Sequence, residues 1–183
     1  THTAFKPSAF NGFQNVADND RLGAQAMKRN EPTFDEIVDS IHELNGHETD
    51  KIPWLMSLLD SPDGAIRLAA LNALVHRFSI ANLAEKLLVM LDRETDEDVL
   101  LVLLSALSMQ HRGSRNEKLI HRFQAALHRI GRCLDGTREA FDDAKLHVML
   151  GYDTKQIVKM SSTDRLAQLA DVNAKLEGKL PMT

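Results

Sequence analysis

The sequence predicts an all-α fold, a short solenoid of about three helical hairpins closed by a C-terminal capping helix. Three observations carry this. Residues 52–75 read as an apolar helix, a sharp turn containing Pro62 and Gly64, and a second helix apolar almost all round. The pattern returns roughly thirty-two residues later, the period expected of stacked helical hairpins. Leu87, Leu88, Met90, Leu91 and Asp92 repeat Leu55, Met56, Leu58, Leu59 and Asp60. After a one-residue insertion, Val99, Leu103, Leu104, Ala106 and Leu107 repeat Ile66, Ala70, Leu71, Ala73 and Leu74. Finally, no segment shows the alternation of a half-buried strand.

The elements follow in order. Residues 1–32 hold Phe5, Phe10 and Phe13 among Pro, Gly, Asn and Asp and show no sustained period, although 21–29 can form a short helix. They are expected to be a flexible or capping arm, with Phe10 and Phe13 as candidate partner anchors. Thr33-Phe-Asp-Glu36 is a capping box, and Phe34, Ile37, Val38, Ile41 and Leu44 follow at helical spacing until Asn45-Gly46. Hairpins 51–78 and 83–110 come next. Ser114-Arg-Asn-Glu117 reads as a second capping box before the stripe Leu119, Ile120, Phe123, Ala126, Leu127 and Ile130, which Gly131 closes. Residues 137–150 are its expected partner, ended by Gly151. Residues 154–160 form a short helix. Residues 163–177 form the capping helix, with Leu166, Leu169, Ala170, Asn173 and Leu176 on one face. The division is therefore an arm over 1–32, repeats over 33–150, and a capping helix with tail over 151–183.

Composition sets the limits. The 183 residues are 43% apolar and 26% charged, with a formal charge of −4. A chain of this size buries about 70% of its unfolded surface, so its core needs no disulfide or metal. The negative balance argues against a surface devoted to nucleic acid. Cys133 is the sole cysteine, which points to a reducing, cytoplasmic setting. The first residues lack a secretory signal and an initiator Met, so a processed or excised chain is expected. The longest apolar run, Val99 to Leu107, is broken by Ser105 and is about half of what a membrane crossing requires.

Residues 51–78 resemble a HEAT repeat, including the shorter HEAT-like form of bilin-lyase-type proteins. Pro53 lies in the first turn of the outer helix, and Leu58-Leu59-Asp60 ends it. Pro62 sits in the turn, Ile66-Arg67 opens the inner helix, and Ala69-Ala70 with Ala73-Leu74 supply its packing positions. The resemblance weakens along 34–150. It implies that Arg67 pairs with an acidic turn residue to form a ladder between repeats, interrupted at Leu100. It also implies a binding surface rather than a reaction.

Several groups are candidates for chemistry. His42-Glu43 and His47-Glu48 carry metal-ligand types, but they lie in one helix end and its loop, so no metal or other cofactor is expected. Arg115, Arg122 and Arg129 recur every seven residues beside Lys118, placing four cations on one helix face suited to an acidic partner. Asn72 and His76 lie on the inner helix of the best repeat, one turn apart. Cys133 follows Gly131-Arg132 and has no apparent base. Trp54 is expected in the core. The acidic stretch from Asp35 to Asp50 gives the N-terminal end the opposite sign to the later part, which suits self-association.

The expected function is a non-catalytic protein-binding module, such as an adaptor, assembly subunit or inhibitor. Its partner would be another protein with an acidic or peptide-like element. The alternatives are a bilin-lyase-like handler of a small ligand or chromophore, and a nucleic-acid-binding HEAT-like module.

Overall fold

Helices start where a side chain can satisfy their free amides. The computed structural model describes residues 32–78, 83–131 and 134–178. These residues form helices and turns without a strand. Helix α1 spans Phe34–Glu43. A 3₁₀ turn, Thr49–Lys51, leads into α2 (Ile52–Leu58), and α3 (Gly64–Asn72) continues as a π-helical turn, Ala73–Arg77. Next come α4 (Ala84–Leu91), α5 (Glu97–Gln110) and α6 (Glu117–Ile130). Helix α7 (Asp135–Lys145) also ends in a π-helical turn, Leu146–Leu150. Helices α8 (Thr154–Lys159) and α9 (Ser162–Glu177) complete the described chain.

The Thr33 box forms as expected: Glu36 Oε2 accepts from the Thr33 amide at 2.7 Å and Thr33 Oγ1 from the Glu36 amide at 3.4 Å. Asp63 and Asp96 perform the same task before α3 and α5, accepting from the amides of Ala65 and Asp98 at 2.8 and 3.0 Å. The two hairpins thus share a capping aspartate. The expected Ser114 box does not form. Asn116 caps α6, accepting from the Leu119 amide at 3.1 Å. The preceding loop instead turns toward α7, where the amides of Gly113 and Arg115 donate to the carbonyls of His147 and Val148 at 2.9 and 3.0 Å.

Packing follows the order of the helices along the chain. α1 packs on α3, α3 on α5, and α5 on α7. A second set, α2, α4 and α6, packs on α3, α5 and α7 respectively, and α4 meets α6. α9 lies against α7 and its π turn. Leu100, Leu103, Leu104 and Leu107 of α5 are fully buried because neighbours cover this helix on several sides. Each such side chain contributes about 2 kcal/mol. Glycine permits one close crossing: Gly113 and Gly151 both have positive φ, and a Cβ on Gly151 would lie 3.4 Å from the Gly113 Cα.

Some apolar positions differ from expectation. Ile41 is the buried member of the α1 stripe, while Phe34 is 42% exposed. Trp54 is half-buried. On α9 the buried face is Leu169, Val172 and Leu176, whereas Leu166 is 68% exposed. The neighbouring Arg165 anchors this first turn to Glu139 and Asp143 of α7, which leaves Leu166 facing water. No described helix is long and apolar enough to cross a membrane.

Candidate functional site

The charged side chains divide into those that join helices and those that remain available. Arg67 of α3 grips Glu94 in the α4–α5 turn through two bonds, Nε to Oε2 at 3.0 Å and a terminal nitrogen to Oε1 at 2.6 Å. Its other terminal nitrogen donates to the carbonyls of Ser61 and Pro62. Glu94 is 3% exposed and also accepts from the amides of Thr95 and Asp96. Burial pushes its carboxyl up, but Arg67 and the two amides outweigh burial and hold it below the usual glutamate value. At the next junction Leu100 occupies the arginine position and is fully buried. There Glu97 accepts from the Leu134 amide at 2.7 Å and from the Thr137 hydroxyl, closing the start of α7.

The basic residues of 112–129 do not share one fate. Arg122 reaches α4, forming two bonds to Asp92 at 2.9 and 2.6 Å and one to the Leu88 carbonyl at 2.8 Å. Arg129 donates to the Leu91 carbonyl. Both therefore tie α6 to the end of α4. Lys118 lies exposed on α6. Arg115 precedes the helix, is exposed, and has φ +55°, the one non-glycine positive φ among the described residues.

The other expected positions are placed as follows. Asn72 is half-buried at the end of α3 and His76 is exposed in the π turn, so a wider turn separates them. Arg77, next to it, donates to the carbonyls of Ile41, His42 and Leu44, capping α1. Glu48 accepts from the Asn45 amide, and the His47 amide donates to Asn45, so the second His-Glu pair shapes a turn. No three His, Cys, Asp or Glu among the described residues gather as metal ligands. Phe10, Phe13 and Cys133 lie outside the described residues.

Arg115 stands at a cleft of about 550 Å³ whose other lining residues are Gly113, Glu117, Met149, Leu150, Ala174, Lys175 and Gly178. The loop before α6, the π turn after α7 and the end of α9 meet here. No family model, curated protein or solved structure matches this chain. The cleft is thus read from its own geometry. Its size falls in the range of ligand sites. Met149, Leu150 and Ala174 make its apolar wall, and Arg115 and Lys175 stand among its charged residues. Of this set sequence reasoning found Arg115 alone. The available signal for the rest was the pair Gly113 and Gly151, whose close crossing brings the two segments together.

Proposed function

We propose that this chain is a HEAT-like, non-catalytic protein-binding module, an adaptor, assembly subunit or inhibitor. Its array of stacked helices is a rigid support that loses little entropy on binding. The observation that carries the reading is Arg115. A left-handed arginine costs about 1–2 kcal/mol, and the Val148 carbonyl holds it at the mouth of an open cleft. Strain kept in place by a tertiary contact is found at binding sites. The Arg67–Glu94 pair between hairpins supports the HEAT-like part of the proposal. Arg122 and Arg129, engaged with α4, leave fewer cations for phosphates, which favours a protein over a nucleic-acid partner.

The test is selection of random peptides displayed on phage against the whole chain, followed by hydrogen exchange of the chain with the enriched peptides. Enrichment together with slowed exchange over 113–117 and 146–150 is the expected result. Enrichment no greater than for an unrelated helical protein would refute the module reading.

A further inference from the structure

Resting on that reading, we infer that the cleft between the α6 loop, the α7 π turn and α9 takes a peptide segment that combines carboxylates with a bulky apolar side chain. The apolar wall comes from Met149 and Leu150, with Ala174 beside them. Met149 is 7% exposed, and its flexible thioether adapts to different inserted side chains. Charge around the wall selects the remainder of the segment. Arg115 lines the cleft and is exposed; Arg112 and Lys118, three residues to either side in sequence, are exposed as well. Lys175 adds a cation from α9, although Asp171 partners it. Glu117 is the acidic residue among those lining the cleft.

A carboxylate seated near Arg115 would form a charge-assisted contact with a forked donor whose backbone is held by the Val148 carbonyl. The apolar wall distinguishes this from a phosphate site. A bare polyanion would gain the charge contact but leave Met149 and Leu150 uncovered. A peptide with both features uses the whole cleft.

Fluorescence anisotropy of short labelled peptides on the whole chain tests this. The probes are a Glu/Leu peptide, a Glu/Ser peptide, a Lys/Leu peptide and a random DNA duplex. The Glu/Leu peptide should bind most tightly, and added salt should weaken it. Arg115→Gly relaxes the backbone while removing the cation, and should weaken binding about fivefold without lowering the melting temperature. Ala174→Trp, at an exposed helix position, should obstruct the cleft and weaken Glu/Leu binding with no change in charge. Equal or tighter binding of the Glu/Ser peptide, the Lys/Leu peptide or the duplex would overturn the inference, as would indifference to both variants. If phage-selected peptides bind the chain while the Glu/Leu preference is absent, the inference fails and the module reading stands. If no peptide binds at all, the module reading fails as well.

Discussion

Glu94 is buried and Asp143 half-buried, and both meet an arginine, yet their acidities move in opposite directions. Glu94 has Arg67 bound through two bonds and two backbone amides on the same carboxylate. Asp143 has one bond from Arg165, at 2.6 Å, and shares that arginine with Glu139. Burial pushes the Asp143 carboxyl up, Glu139 adds to this, and Arg165 and His147 only partly offset it. Dedicated and numerous donors outweigh burial at Glu94. The arginine that Asp143 shares with Glu139 offsets burial only in part. The first arrangement joins two hairpins in the middle of the array, and the second attaches the terminal helix.

The sharpest way to break this contrast is Arg67→Met, which leaves a buried carboxylate without its cation. The loss should be about 3–5 kcal/mol, read from urea denaturation. A loss under about 1 kcal/mol would show that the two amides, as charge-assisted donors, suffice to hold the carboxylate. Glu97→Ala removes the acceptor at the other junction and should lose about 1–2 kcal/mol. Arg165→Met should lose about 1 kcal/mol, because both of its carboxylates are partly exposed. Equal losses for Arg67→Met and Arg165→Met would erase the distinction. Arg115→Gly should gain about 0.5 kcal/mol, the left-handed strain less the entropy of glycine, seen as a raised melting temperature.

The finest difference is one of slope with pH. Glu94 has a folded pKa below its ordinary 4.5. Its contribution is therefore complete above that value and disappears as pH falls through the folded pKa. Asp143 has a folded pKa above its ordinary 3.8, so its contribution is present below that value and is lost as pH rises through the folded pKa. Accordingly, Glu94→Gln should flatten the acid side of the stability curve. Asp143→Asn should compare better with the unsubstituted chain at neutral pH than at pH near 3. Parallel curves for the two variants would contradict the opposite shifts.

Much of the fold was legible because it is local. The Thr33 box, the stripe of α6 and the end at Gly151 follow from residues three to seven apart. The Arg67 pairing followed from the resemblance to HEAT repeats. What could not be read depended on distant partners. Ser114 has the right neighbours for a cap, but the His147 and Val148 carbonyls draw the loop away. Leu166 fits its helical stripe, but the anchored Arg165 turns it outward. Arg115, Arg122 and Arg129 have identical spacing and chemistry, yet α4 engages two of them and the π turn after α7 holds the backbone of the third.

Local sequence alone dictates that the described residues are helical and where most of their helices begin and end. Backbone hydrogen bonding and side-chain periodicity act over a few residues, so these features are written locally. Which charges are engaged, and where an open cleft lies, is fixed only when the helices pack. Those outcomes depend on carbonyls and carboxylates brought close from some thirty residues away, and no local pattern encodes that proximity.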